Sequence, residues 1–269
     1  MAATFEYFRN IVHRRAAIVL ENGKEYLVET RLGPVAKSIG LASVDELVGK
    51  VRSDERSKLA TQVIEALTTN ETSFFRDHHP FEALKTKILP ALATARASTG
   101  RLRIWCAAAS TGQEPYSIAM TALTHPATRN LKIEIQATDI NTTVLARARA
   151  GVFKQLEVNR GLPAPMLAAW FDRRGMDWEI KPAVRSLVTF SELNLCDSFA
   201  QLGQCDLVFM RNVLIYFDLE TKRQILTRVR RLMAPDAWLV LGGAETTLNL
   251  DDQFVPIRVG PAVIYQSKA

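Results

Sequence analysis

From Leu102 onward the chain repeats one short unit: an apolar run, a loop of small or polar residues, and a helix start. The pattern predicts strands at 102–106, 132–138, 206–210 and 237–242, and helices at 114–123, 142–150 and 219–233. Parallel strands joined by helical crossovers are the simplest way to bury such segments. Short strands that are apolar throughout are those covered on both faces. The expected fold is therefore α/β and Rossmann-like. Its best-defined unit is Arg103-Ile104-Trp105-Cys106-Ala107-Ala108-Ala109-Ser110-Thr111-Gly112-Gln113-Glu114-Pro115, a strand, a small-residue loop and a helix start. A second strand then ends at Ala137-Thr138-Asp139. Loops and strand ends of this kind are where open α/β sheets hold ligands, and an acid after the second strand can take the hydroxyls of a ribose.

The loop constrains that ligand. Ala107, Ala108 and Ala109 keep side chains small, and Gly112 permits a conformation or an approach that a Cβ would block. Pro115 suits a first helical turn. There is no G-x-G-x-x-G and no Lys-Ser/Thr ending, so a dinucleotide pyrophosphate or a P-loop phosphate is poorly supported. Glu114 at the helix start repels phosphate and favours a cationic ligand, which points to S-adenosylmethionine; the alternative is that Glu114 caps its own helix. Asp139 is read as the ribose acid; the alternative is an N-cap of the next helix, a place Asn141 can also fill. Arg211 and Asn212 follow the strand Asp206–Met210 at its carboxyl end and are further site candidates. Asn194 and Leu195 are placed at an adenine pocket, one hydrogen bonding and one packing, or else in a polar turn beside a core leucine.

Composition narrows the class. No apolar run reaches the ~18 residues of a membrane span. The opening MAATFEYFRN lacks the apolar core of a signal peptide. The three cysteines, Cys106, Cys196 and Cys205, show no metal spacing, so no metal is expected, and a sparse odd set fits a reducing cytoplasm. Net charge is +6, with eight basic against four acidic residues over 141–185. This is a solvated basic surface or a field that steers an acidic partner.

Residues 1–67 carry a helical period, with Phe5, Phe8, Ile11 and Val12 and then Leu59, Val63, Ile64 and Leu67 on repeating faces. Asn22-Gly23 and Ile39-Gly40 divide them into about four short helices. Ser43 with Glu46 forms a capping-box pattern, and Asp54 is a candidate cap for the following helix. A polar stretch at 68–80 leads to a helix that Pro90 is expected to close. Trp178–Ile180 and Leu187–Phe190 suggest a small β insertion at about 153–190, and the tail suggests a hairpin on the sheet edge with its turn at Gly260-Pro261.

Several segments together resemble the chemotaxis receptor protein-glutamate O-methyltransferase family. They are Thr69-Asn70-Glu71-Thr72-Ser73-Phe74-Phe75-Arg76, the loop from Trp105 to Tyr116, Ala137-Thr138-Asp139-Ile140, Asn194-Leu195, and Arg211-Asn212-Val213-Leu214-Ile215-Tyr216-Phe217-Asp218. The resemblance covers nearly the whole chain. It implies a helical domain at 1–67, a linker and helix at 68–90, and a methyltransferase domain at 91–269 carrying a small antiparallel β subdomain. It implies that Asn70, Thr72, Arg76, Glu114, Asp139, Asn194, Leu195, Arg211 and Asn212 contact S-adenosylmethionine or its product S-adenosylhomocysteine, with Arg76 suited to the methionine carboxylate. Many members have Gly-Cys where this chain has Ala108-Ala109, and a second acid where it has Gln113.

The implied reaction is methyl transfer to glutamate side chains in the cytoplasmic helical region of chemoreceptors, by a monomer that inserts in no membrane and binds no nucleic acid. Tyr216 resembles an active-site tyrosine whose hydroxyl orients the acceptor. Arg31, Lys37, Arg52, Arg56 and Lys58 are candidates for the receptor surface, although residues 1–69 carry only +1 overall. Two other readings stand beside this one. An RNA or DNA methyltransferase would fit the basic charge, but Val213-Leu214-Ile215 stands where a base-amino methylase has its Pro-Pro-aromatic segment. An adenosylmethionine-binding signalling or scaffold protein would keep the same cofactor residues.

Overall fold

A computed structural model describes residues 2–268. The chain divides into two compact units, one formed by Met1–Thr69 with Tyr216–Lys222 and the other by Asn70–Ile215 with Arg223–Ala269.

The first unit holds α1 (Ala2–Ala16), α2 (Glu25–Ser38), α3 (Val44–Ser53) and α4 (Lys58–Leu67). Their apolar faces meet in a core that includes Phe8, Ile11, Val12, Leu32, Leu47, Val51 and Val63, all fully or almost fully buried. Ser43 caps α3 by accepting the Glu46 N–H at 3.2 Å, while the Glu46 carboxylate turns back to the Ala42 N–H. Ser57, not Asp54, caps α4: its hydroxyl accepts the Ala60 N–H, whereas Asp54 accepts the Arg56 N–H and so shapes the turn before the helix. The bridge between Ile18 and Phe217 ties residues 216–222 to this unit.

The second unit begins with α5 (His79–Ala83), a π-helical turn over Leu84–Ile88, and α6 (Leu89–Ala95). Pro90 does not close this helix. The Leu89 N–H bonds the Leu84 carbonyl, one residue farther back than in an α-helix. That looser turn just before the proline absorbs its missing donor, and the helix runs on. There follow β1 (Arg101–Ala107), α7 (Gln113–Thr124), β2 (Lys132–Asp139) and α8 (Thr142–Ala150). Next come β3 (Val152–Lys154), α9 (Gln155–Asn159), α10 (Ala164–Trp170), β4 (Phe171–Arg174), β5 (Asp177–Ile180) and α11 (Pro182–Arg185). The last elements are β6 (Val188–Glu192), β7 (Cys205–Met210), α12 (Leu219–Leu232), which starts in the first unit's segment, β8 (Met233–Leu241), β9 (Phe254–Val259) and β10 (Ala262–Ser267).

The main sheet has seven strands in the order β6-β2-β1-β7-β8-β10-β9. The first five are parallel, and the β9–β10 hairpin closes one edge antiparallel. Ile104, Cys106, Leu207, Phe209 and Val240 form its buried layer. A separate antiparallel sheet, β3-β5-β4, makes the small subdomain. Leu187–Phe190 is not part of it: β6 pairs parallel with β2 as the edge of the main sheet. Its alternation of buried Val188 and Phe190 with exposed Thr189 and Ser191 suits an edge strand of either sheet, so the pattern alone could not assign it. Phe74 anchors the linker segment to the small sheet, its ring edge-on to Phe153 at 4.9 Å and Phe171 at 5.6 Å.

Candidate functional site

The parallel register brings the carboxyl ends of β1, β2 and β7 side by side. The loop after β1 holds three left-handed residues in five positions, Ala108 at φ 52°, Ser110 at 50° and Gly112 at 96°. It is stitched to the end of β2, with the Ala109 N–H bonding the Thr138 carbonyl at 2.9 Å and the Ser110 N–H bonding Asp139 Oδ2 at 2.8 Å. Gly112 is required twice over. Its φ is positive, and a Cβ there would lie 3.0 Å from Ala148 Cβ and 3.2 Å from the Tyr116 ring, so the close approach is made by α8 and Tyr116.

Ala108 carries the strain that glycine would avoid. A left-handed L-residue costs ~1–2 kcal/mol, and glycine's extra entropy loss returns only ~0.5–1 kcal/mol. Ala108→Gly is therefore expected to stabilise the fold by about 0.5–1 kcal/mol in urea unfolding. A loss of stability would mean that the alanine methyl packs too well to lose.

Asp139 is 7% exposed, and its second oxygen accepts the Asn141 N–H at 2.9 Å. Asn141 is the cap of α8, accepting the Thr143 and Val144 N–H groups, so Asp139 does not serve as the cap. Its carbonyl accepts the Leu193 N–H at 3.0 Å, which draws Asn194 and Leu195 to the same strand end. Leu195 is buried. Asn194 Oδ1 accepts the Cys196 N–H at 3.0 Å. Arg228 on α12 clamps this turn through the carbonyls of Leu195, Cys196 and Asp197 and lies over the Phe199 ring at 5.1 Å.

The linker reaches the strand ends from the other side. The Asn70 carbonyl accepts the Ser110 hydroxyl at 2.7 Å, and the Phe75 N–H donates to Ser117 Oγ at 3.0 Å. Arg76 is held by the carbonyl and carboxylate of Glu71, each at 3.1 Å, and Glu71 also pairs with Arg160. Thr72 lines a cavity of about 510 Å³ with Asn70, Thr111, Gln113, Glu157 and Arg160. Gln113 is buried, accepts the Thr111 hydroxyl at 2.8 Å and points its amide at Glu157. A second acid at that position would face the Glu157 carboxylate.

Arg211 is the charged centre of this region. Its side chain has no solvent exposure and donates to Glu114 at 2.5 Å, Asp77 at 2.7 Å and the Arg76 carbonyl at 3.0 Å. Glu114 is thus neither a helix cap nor an unpaired anion waiting for a cation. Gly112 occupies the cap position, and one Glu114 oxygen belongs to Arg211. The other takes the Cys106 thiol at 3.5 Å. Burial, and then the neighbouring Glu114 charge, push the Cys106 thiol well up, which keeps it neutral and a donor. Asn212 follows at φ 57°.

Hydrogen bonds thus bring Asn70, Arg76, Glu114, Asp139 and Arg211 to one strand edge, with Asn212 next in the chain and Asn194–Leu195 joined through Asp139. Tyr216 belongs to the first unit, where its carbonyl accepts the Val19 N–H at 2.9 Å. Arg31 is committed within that unit, donating to the Leu67 and Thr68 carbonyls and the Thr69 hydroxyl. Lys37, Arg52, Arg56 and Lys58 are exposed, with Arg52 over the Tyr7 ring at 4.9 Å. Because α3 ends at Ser53, Arg52 and Arg56 do not share one helical face. Sequence reading missed Asp77, Ser117, Arg160, Arg228 and Glu245. Each acts through a contact remote in sequence and carries no local motif. Among the described residues no cluster of three His, Cys, Asp or Glu could hold a metal ion, and no helix is long and apolar enough to cross a membrane.

A parallel sheet closed by an antiparallel hairpin, with a tight small-residue loop after its first strand and an acid after its second, holds ligands at the carboxyl ends of its strands, and the family match makes the class an S-adenosylmethionine-dependent methyltransferase. Residues 70–262 match the family described as CheR methyltransferase, SAM binding domain, and residues 3–68 match CheR methyltransferase, all-alpha domain. The chain belongs to the CheR methyltransferase family. It is 44% identical to chemotaxis protein methyltransferase 1 of Pseudomonas aeruginosa, over 99% of this chain and 98% of that one. A chemotaxis protein methyltransferase of Pseudomonas putida is 42% identical over 98% of each chain. The chemotaxis protein methyltransferase of Escherichia coli is 36% identical over 94% of this chain and 87% of that one.

Proposed function

We propose that this enzyme methylates glutamate side-chain carboxylates on chemoreceptors, giving γ-methyl esters and S-adenosylhomocysteine. The observation that carries the reading is the group at the carboxyl ends of the strands, where Arg211 joins Glu114 and the Arg76 carbonyl and Asp139 ties the loop after β1 to β2, in a chain that matches the family over nearly its whole length.

The donor set fits S-adenosylmethionine. Asp139 offers a carboxylate to the ribose diol, with Leu195 as an apolar wall and Asn194 as a polar edge for the adenine. Arg76, steadied by Glu71, suits a carboxylate. Glu114, already paired with Arg211 and the Cys106 thiol, keeps lone pairs that we assign to an ammonium. Asn70, Thr72, Arg211 and Asn212 complete the set we assign to the cofactor. When bound, S-adenosylmethionine supplies an electrophilic methyl group.

The residues' work is to hold two reactants in line and keep water out. A glutamate side chain has a pKa near ~4.3 and is already an anion at neutral pH, so the transfer needs no general base. We assign Tyr216 the task of orienting the acceptor carboxylate through its hydroxyl.

We read the chain as a helical domain at 1–67 that meets the receptor, a linker and helix at 68–90 that join the cofactor site, and a catalytic domain at 91–269. Exposed Lys37, Arg52, Arg56 and Lys58 support a receptor surface on the helical domain, while Arg31 serves as its internal brace. The enzyme is taken to act as a cytoplasmic monomer without nucleic acid.

The test is transfer of a labelled methyl group to a receptor cytoplasmic fragment, expected as a base-labile ester that Tyr216→Phe slows about tenfold or more through lost alignment. Efficient labelling of RNA with none of the receptor would overturn the reading, and so would cofactor binding without transfer to either.

A further inference from the structure

The loop that carries Arg211 and Asn212 is held by a side chain from the segment that follows the neighbouring strand. Glu245 lies four residues beyond β8 and folds back beneath that loop. One carboxylate oxygen accepts the Asn212 N–H at 2.8 Å and the Gly242 N–H at 2.7 Å. The other accepts the Val213 N–H at 2.8 Å, the Leu214 N–H at 2.7 Å and, more weakly, the Ile215 N–H at 3.4 Å. These donors open the helical turn Leu214–Tyr216, and the first N–H groups of a helical turn have no partner of their own. A single negative charge therefore satisfies an entire turn, through charge-assisted bonds.

The fit is close on every side. A Cβ on Gly242 would stand 2.7 Å from Glu245 Oε2 and 2.9 Å from both the backbone and side-chain nitrogens of Asn212. Asn212 is held left-handed at φ 57°, a conformation that persists only where its surroundings impose it.

We propose that Glu245 is a positioning residue for methyl transfer: its carboxylate fixes the backbone from Asn212 to Ile215 and so sets where the Asn212 side chain stands, next to Arg211. The proposal rests on the cofactor role given to Asn212 above. Without the carboxylate, several N–H groups point at one another with nothing between them. The turn then relaxes, and a displacement of the order of an ångström at a reacting centre costs about a hundredfold in rate.

The experiment uses the full-length chain with Glu245→Ala and Glu245→Gln. Backbone amide hydrogen exchange at 212–215 is read alongside kcat and KM for a receptor fragment, all per folded molecule by circular dichroism. Glu245→Ala is expected to expose these amides and to lower kcat about a hundredfold, with KM changed far less. Glu245→Gln keeps one acceptor oxygen for Val213 and Leu214 but turns an NH2 toward Asn212 and Gly242, so it should fall between. Added formate, a carboxylate that fits the vacated space, should restore part of the Glu245→Ala rate, an effect that a merely structural loss would not show. Wild-type exchange and kcat in a folded Glu245→Ala protein would overturn the proposal, as would a rate loss explained by the unfolded fraction and indifferent to formate. If the wild type itself labels no receptor, the methylation reading fails. The exchange data still decide whether Glu245 holds the turn.

Discussion

Asp139→Ala is expected to weaken S-adenosylmethionine binding about a thousandfold, read by calorimetry on folded protein. In the role proposed for Asp139, two charge-assisted hydrogen bonds to a ribose diol would be worth ~1.5–3 kcal/mol each, and the alanine would lose both. A second loss comes from the protein itself. Asp139 also accepts the Ser110 and Asn141 N–H groups, so its removal frees the loop after β1 from the end of β2. Asp139→Asn separates the two effects. Its remaining oxygen can keep one backbone donor, but its NH2 must face another N–H group. Asparagine should therefore bind better than alanine and well below the wild type. Wild-type affinity in a folded Asp139→Ala protein would remove the ribose assignment.

Asp139 also shows what the sequence made legible. An acid closing an apolar strand in an α/β pattern is a local signal, and so are Gly112 and the small residues around it. The helix starts at Thr142 and Leu219 and the hairpin at Gly260 were equally plain, because turn and cap chemistry is written in neighbouring residues. The partners were not. Glu114 lies 97 positions from Arg211, and Glu245 lies 31 to 33 positions from the Asn212, Val213 and Leu214 amides it gathers. Nothing in their own neighbourhoods distinguishes them from surface acids, and only the strand order brings them in. The same limit explains β6. Its alternation reported one buried face, while the sheet it joins depended on where the chain returns after α11. Pro90 shows a smaller version of the problem, since a helix can take in a proline when the turn before it widens.

Arg211→Met should cost about 3–5 kcal/mol of stability, the usual price of breaking a buried ion pair from one side. The arginine side chain has no exposure and is surrounded by Glu114, Asp77, the Arg76 carbonyl and the face of Phe81 at 5.7 Å. Most of the cost falls on Glu114, which is only 12% exposed and would be left as a desolvated charge. Asp77 is half exposed, so water can replace the arginine there, and its share is small. The asymmetry gives a clear double-mutant test. Glu114→Gln in the Arg211→Met background removes the stranded charge and should recover about 1–3 kcal/mol, whereas Asp77→Asn in that background should recover little. Urea unfolding reads all four proteins. An Arg211→Met protein as stable as the wild type would mean that the pair is not desolvated. Equal recovery by the two second substitutions would mean that burial does not rank these carboxylates. In either case the strand edge would hold a solvated charge cluster, and the dry, preorganised site required for alignment without a general base would be lost with it.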